Sequence, residues 1–263
     1  VIVQFPLRLA SSCMVAPAVR HLGFARDDGQ PFRFVPGQFV QVHFPDPQGK
    51  PLKRSYSVAT VAGDPANPDG LIEMAVSYVD GGLATALLSG LAHGETITAS
   101  GPYGRFVLHD NDANARYLLI ATGTGVTPYR AMLPLIERTI AARGIEVVLV
   151  YGARTPAELL YGDEFRAFAG RVPGFRYVPC FSRAMPAEPG PYDRQGRVQT
   201  ALPDLAPDPA RDIAYLCGNP DMVDGCFAAL KERGLPVPHI RREKYISPPA
   251  PGQRAAAAAA EAE

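Results

Sequence analysis

The sequence predicts two architectures in series, a small antiparallel β-barrel followed by a doubly wound α/β layer. Three observations carry this. The first part of the chain holds short runs with period-two spacing, bounded by Pro, Gly, Asp and Ser. The second part alternates apolar strands with helical segments. Between them, Arg116 to Ala131 reads as strand, glycine turn and helix. At 263 residues, the chain is long enough for two domains of ~100–150 residues, each with its own core.

In chain order, Phe5–Ala10 and Val19–Arg26 are the first strand candidates. Phe39–Phe44 alternates, with Val40, Val42 and Phe44 on one face and Gln41 and His43 on the other. Further strands are expected at Ser55–Thr60, Leu71–Tyr78 and Thr96–Ser100. One helix interrupts them, Leu83 to Leu91, with Leu83, Leu87, Leu88 and Leu91 on one face. Many short strands at this spacing predict a barrel. Tyr117 to Ala121 then reads as a buried strand, and the helix from Val126 runs to about Arg143. Val147–Tyr151 is a continuous apolar run of the kind covered on both faces in parallel sheets. A helix from about Glu158 to Phe168, strands at Phe175–Cys180 and Ile213–Cys217, and a helix to about Arg233 complete the alternation.

Three places look chemical. At Gly123-Thr124-Gly125-Val126-Thr127-Pro128, a strand turns through glycines into a helix, which aims free N–H groups at a phosphate. A Cβ at such a glycine blocks close approach of the backbone, and Pro128 in the first helical turn loses no hydrogen bond. A lone Gly-x-Gly is more often an ordinary turn; the correct flanks strengthen this one. At Arg54-Ser55-Tyr56-Ser57, strand geometry puts Arg54 and Tyr56 on one face and Ser55 and Ser57 on the other. An arginine fork suits a phosphate, and a tyrosine face suits a ring. These four residues alone read equally well as a surface arginine beside a core-facing tyrosine. Asp80-Gly81-Gly82-Leu83-Ala84-Thr85 opens the predicted helix with free amides and a hydroxyl, a second anion-ready terminus. Two phosphate-suited places in one domain point to a dinucleotide.

Composition narrows the classes. The chain is 47% hydrophobic and 20% charged, as in globular proteins, and its formal net charge is zero, which argues against nucleic acid as the main partner. No apolar run approaches the ~18 residues of a membrane span. Val1 to Leu9 lacks the pattern of a secretory signal, and the start on Val1 suggests processing or trimming. Cys13, Cys180, Cys217 and Cys226 form no Cys-x-x-Cys motif, and at least three of them read as small buried residues in a reducing cytoplasm.

Arg54-x-Tyr56-Ser57, the Gly82-x-x-Thr85 helix start, Gly101-Pro102-Tyr103-Gly104, the Gly123–Pro128 turn and Leu216-Cys217-Gly218-Asn219-Pro220-Asp221-Met222-Val223 stand in one order. In that order they resemble the ferredoxin–NADP+ reductase family, closest to its bacterial ferredoxin/flavodoxin type, over nearly all of residues 5 to 247. The resemblance implies a six-stranded antiparallel barrel for FAD (residues 1–110) and a five-stranded parallel sheet, doubly wound, for NADP(H) (residues 111–248).

Position by position, the resemblance implies the following roles. Arg54 contacts the FAD pyrophosphate, in the run that also holds Ser55. Tyr56 lies against the flavin ring, and Ser57 hydrogen-bonds its N5. Gly82, Leu83 and Thr85 cradle the pyrophosphate, Val76, Ser77 and Tyr78 pass the flavin, and Thr127 nears the flavin edge. Gly123, Thr124 and Gly125 receive NADP. Arg154, Ser182, Arg183, Arg197 and Asp221 fall at or near strand ends, and Arg183 with Arg197 resembles a 2′-phosphate clamp. Cys217 corresponds to a cysteine near the nicotinamide, although a packed small residue reads as well there.

The implied chemistry is hydride transfer from NADPH to the flavin, then single electrons to a separate ferredoxin or flavodoxin. The sequence holds no Cys-x4-Cys-x2-Cys cluster motif for a fused iron–sulfur centre. Lys50, Lys53, Arg105, Arg241, Arg242 and Lys244 are candidates to meet an acidic carrier. The alternatives are a reductase component of an oxygenase and a non-catalytic flavin- or nucleotide-binding module. A cytoplasmic monomer is expected. Tyr245 is the candidate to cover the flavin, and the alanine-rich tail, residues 249–263, reads as low-complexity.

Overall fold

The computed structural model describes residues 3–67, 69–109 and 112–245; the tail reading concerns residues outside these. The first sheet comprises β1 (Gln4–Ala16), β2 (Val19–Arg26), β3 (Phe39–Pro45), β4 (Pro51–Ser57), β5 (Ile72–Ser77) and, after helix α1 (Leu83–Gly90), β6 (Thr96–Tyr103). Its order is β4-β3-β6-β1-β2-β5, with every pairing antiparallel. The end strands β4 and β5 meet in space without sharing a ladder, which closes the barrel around one core. Alternation builds that core: Val40, Val42 and Phe44 face inward from β3, Leu22 and Phe24 from β2, and Met74 and Val76 from β5.

The second sheet comprises β7 (Arg116–Thr122), β8 (Glu146–Ala153), β9 (Phe175–Phe181), β10 (Arg194–Gln195), β11 (Asp212–Gly218) and β12 (Ile240–Lys244), all parallel, in the order β10-β9-β8-β7-β11-β12. It therefore has six strands rather than the expected five; the extra one, β10, is only two residues long. Helices α2 (Thr127–Arg143) and α3 (Gly162–Arg171) pack on one face against Tyr117, Leu119 and Ala121. Helices α4 (Val198–Leu205) and α5 (Pro220–Glu232) pack on the other against Leu118 and Ile120. Burial on both faces explains why β7 reads as an unbroken apolar run.

Three boundaries differ from the sequence expectation. β1 runs six residues past Ala10, because its backbone keeps pairing with β2 although Ser11 to Met14 are exposed and carry no apolar alternation. β4 starts at Pro51 and ends at Ser57, so its strand register covers the whole Arg54–Ser57 run. The helix expected from Glu158 begins only at Gly162, because Tyr161 takes a left-handed conformation (φ 54°) that no continuous helix passes through.

The sheet order places the topological switch between β7 and β11, the crevice where doubly wound sheets take ligands. A buried ion pair locks those two strands at their starts. Arg116 reaches Asp212 with two donors, at 2.8 and 2.5 Å, and Asp212 is fully buried. The Asp208 N–H donates to the same carboxylate at 2.7 Å. Removing one partner strands a buried charge. Asp212→Ala should therefore cost about 3–5 kcal/mol, read as a lower urea midpoint with an unchanged slope. A loss near zero would show that the pair does not hold the strands.

Candidate functional site at the switch point

The turn after β7 is a single 3-10 turn, Gly123–Val126, leading into α2. Its two glycines do different jobs. Gly123 sits at φ +54°, and a Cβ built there meets nothing within 4 Å, so this backbone is open to a ligand. A Cβ on Gly125 would fall 2.3 Å from the Cys217 carbonyl oxygen, so Gly125 is required by packing on β11. The same close approach recurs from the other side, where a Cβ on Gly218 would lie 2.6 Å from the Thr122 carbonyl. Asn219 seals the joint: its N–H donates to Thr122 Oγ1 at 3.2 Å, and its side chain caps α5 by accepting from Asp221 and Met222 N–H. Thr124 is half-buried beside the open backbone, while Thr127 is buried with its hydroxyl unpartnered.

Across the crevice, β4 delivers Ser57. Its Oγ lies 2.5 Å from the hydroxyl of Tyr245, which follows β12, so the two sheets meet at this bond. The Tyr245 N–H donates to the Gly218 carbonyl at 2.8 Å, next to Cys217 in β11. Strand pairing sets Glu243 opposite Cys217. Burial pushes the Glu243 carboxyl up to about 7. The Cys217 thiol is held well above its ordinary value by burial first and by Glu243 second, so it stays protonated at neutral pH. Ser57, Cys217, Glu243 and Tyr245 thus form one hydroxyl–thiol–carboxyl cluster.

On the barrel side, Arg54 and Tyr56 share a half-buried face with Leu52. Burial, partly offset by Arg54, pushes the Tyr56 phenol up to about 12. Thr85 Oγ1 accepts the Val79 N–H at 2.9 Å and so folds the glycine turn onto the start of α1, at Gly82 and Leu83. Its own proton stays available. Two buried polar atoms lie nearby without partners, Arg20 Nε and the Tyr78 hydroxyl, with the Arg20 guanidinium 5.6 Å from the Tyr78 ring centroid. These orphaned donors and the glycine turn fit a phosphate-bearing ring ligand. Two residues of the predicted set face elsewhere: Val76 is wholly inside the barrel core, and Ser55 is exposed on the opposite side of β4 from Tyr56. Ser77 is exposed at the end of β5.

At the far end of the second sheet, backbone bonds gather three loops. Ser182 N–H donates to Ala153, Arg183 N–H to Arg154, and Gly196 N–H to Phe181. Arg183 and Arg197 are exposed there and have no ion pair among the described residues. Arg154 is committed to Glu158 at 2.6 Å, and Asp221 sits exposed in the first turn of α5.

The basic set predicted to meet a carrier divides. Lys50, Lys53 and Arg105 are exposed. Arg241 instead forks onto Asp112 at 2.6 and 2.8 Å, Lys244 pairs with Asp224 at 2.7 Å, and the Arg242 guanidinium lies 3.9 Å from the Phe227 ring centroid. Sequence reasoning missed Glu243 and Arg20. The signal for Glu243 was its position two residues before Tyr245, on the same strand face; Arg20 carried none, since its site appears only when β2 pairs with β5.

Residues 6–108 match the family profile described as the oxidoreductase FAD-binding domain, and residues 119–227 match the oxidoreductase NAD-binding domain. The ferredoxin–NADP reductase B of Sorangium cellulosum is 36% identical over 251 residues, covering 92% of this chain and 97% of that protein. The chain belongs to the ferredoxin–NADP reductase family. It is an FAD- and nicotinamide-nucleotide-binding oxidoreductase. The reductase component of propane 2-monooxygenase from Rhodococcus jostii is 33% identical over 82% of this chain, which spans only 57% of that protein. In fold, the ferredoxin NADP+ reductase of Neisseria gonorrhoeae, solved with FAD and NADP, superposes with a TM-score of 0.77 at 22% identity, covering 92% of this chain and 98% of that one.

The raised Glu243 value fixes a pH dependence. Between pH 4.5, its ordinary value, and about 7, the folded protein keeps a proton that the unfolded chain gives up. Stability from this group is complete below the lower value and is lost as pH rises through the upper one. In the FAD-loaded protein, Glu243→Gln should flatten that fall. The check is the urea midpoint of both proteins at about pH 5 and about pH 8; parallel changes would mean that the carboxyl is not the source.

Proposed function

We propose that this protein is an NADPH-dependent reductase that passes electrons to a separate one-electron carrier, a ferredoxin or flavodoxin. The observation that carries the reading is the meeting of Ser57 from the barrel with Tyr245 from the second sheet, beside Cys217 and Gly218 where the turn after β7 packs on β11. One site is thereby shared between a flavin-side and a nicotinamide-side domain. Bound FAD supplies the two-electron to one-electron conversion.

The chain's residues position and shield it. Arg54, Gly82, Leu83 and Thr85 hold the FAD pyrophosphate with a guanidinium fork, helix amides and a hydroxyl. Arg20 and Tyr78 supply donors from the β2–β5 side. Tyr56 packs on the flavin ring. Ser57 would offer its hydroxyl to flavin N5, and Tyr245, which bonds Ser57 here, would cover the ring where the nicotinamide must enter. Cys217, a neutral thiol, shapes the nicotinamide pocket without exchanging a proton. Gly123, Thr124 and Thr127 receive the nucleotide, and Gly125 keeps that turn tight on β11.

Arg183 and Arg197 select the 2′-phosphate. That group carries roughly two negative charges near neutral pH, and NADH lacks it, so the forks gain charge-assisted bonds only with NADPH. A second acceptor class has its own support, the likeness to the propane 2-monooxygenase reductase component. Under that reading the carrier is an oxygenase partner and the residue roles are unchanged.

Two measurements test this. In kcat/KM for NADPH and NADH, Arg183→Ala and Arg197→Ala should each lower the NADPH preference by roughly one to two orders of magnitude, from ~1.5–3 kcal/mol per contact. The NADH value should hardly change. An unchanged ratio in both variants would remove the arginines from the nucleotide site. NADPH-driven reduction of a panel of ferredoxins, flavodoxins and oxygenase components should single out one acceptor class by rate. If a dye is reduced and no protein carrier is, the carrier reading is wrong.

A further inference from the structure

Arg130 is a buried cation that neither nucleotide site uses. It lies in α2, one turn past the Gly123–Thr127 segment, and is 7% exposed. Its side chain leaves its own domain. One terminal nitrogen donates to the Ala59 carbonyl at 2.8 Å and to Glu73 Oε2 at 2.7 Å; the other approaches Asp64 Oδ2 at 3.4 Å. All three acceptors belong to the barrel half. Only Nε turns back, to Glu164 at 2.7 Å.

The contacts close into a circuit. The Arg130 guanidinium sits 4.8 Å from the Tyr161 ring centroid. The Tyr161 hydroxyl lies 2.8 Å from His21 Nδ1, and His21 Nε2 lies 3.3 Å from the second Glu73 oxygen. Glu73 accepts from both sides, from the Arg130 guanidinium and from His21 Nε2. Burial opposes the Glu73 charge, but His21 and Arg130 outweigh it and hold the carboxyl below its ordinary value. Tyr161 joins the circuit from a left-handed backbone that a non-glycine residue rarely adopts. β2 and β5 give His21 and Glu73; the second domain gives Arg130 and Tyr161.

We propose that Arg130 is a positioning residue for hydride transfer, the fork that fixes the distance and angle between the two nucleotide sites. This rests on the reductase reading above. Thr127, with its unpartnered hydroxyl, is three residues before Arg130, and Ser77, where β5 leads to the Gly81–Gly82 turn, is four after Glu73. The Arg130–Glu73 contact therefore ties the helix under one nucleotide to the strand beside the other. Hydride transfer needs an approach of about 3–3.5 Å, and a slip of about 1 Å costs roughly a hundredfold in rate. A planar guanidinium holds several acceptors in one plane, while an ammonium offers a point charge with no preferred plane. Arg130→Lys thus keeps the charge and removes the alignment.

The test uses FAD-loaded Arg130→Lys and Glu73→Gln. Rapid mixing measures flavin reduction at saturating NADPH, equilibrium titration measures NADP+ affinity, and calorimetry measures domain coupling. The expected result is FAD and NADP+ binding within about twofold of wild type, flavin reduction slowed at least about tenfold, and one unfolding transition split into two. Wild-type reduction rates in both folded variants would overturn the proposal, as would a rate loss that only tracks lost FAD. If neither variant folds, Tyr161→Phe carries the test, since it keeps the ring and removes the His21 bond; a several-fold slower reduction at unchanged affinity supports the circuit, and an unchanged rate overturns it. If NADPH fails to reduce even the wild-type flavin, the reductase reading falls, and the transition count alone decides whether Arg130 couples the domains.

Discussion

The contact on which the rest depends is the near collision of two backbones at the switch point. The turn after β7 lies so close to the end of β11 that side chains are excluded from both, at Gly125 and at Gly218. Because those glycines let the chain pass, the turn after β7 packs directly on the backbone of Cys217 and Gly218. Asn219 then serves both sides, joined to Thr122 on one and to its own helix on the other. This part of the site's geometry is a consequence of packing inside the second sheet.

Much of this was legible in the residues. Period-two spacing gave β3 its inward face, and a continuous apolar run gave β7 and β8 their double burial. The glycine turn and the Arg54–Ser57 strand could be placed because each is a local pattern. What escaped depends on distant partners. β10 and β12 are short edge strands whose residues are mostly charged or polar, so they have no apolar rhythm to read. Glu243 shares a strand face with Tyr245, but its place opposite Cys217 exists only once β12 adds to β11. Arg241, Arg242 and Lys244 look like a basic surface in the sequence, yet Asp112, Phe227 and Asp224 engage them from far along the chain.

Two buried guanidiniums divide the work of cohesion. Arg116 acts within the second domain and joins the central strands through Asp212. Arg130 acts between domains, with most of its acceptors on the barrel half. A buried pair adds little net stability over an apolar replacement but penalises every arrangement that separates its partners. Both arginines therefore specify geometry more than they add stability, one for a sheet and one for a crevice.

The location of Tyr245 has a consequence for biosynthesis. Ser57 leaves the ribosome long before its partner does, and domains made first generally fold first. A nascent barrel complete to β6 already presents Arg54, Tyr56 and the glycine turn, while the residue bonded to Ser57 is still untranslated. This face of the barrel is thus built early and covered last. A chain stopped just short of residue 245 would keep the twelve strands of the described residues and lose the partner of Ser57, leaving that hydroxyl open to water.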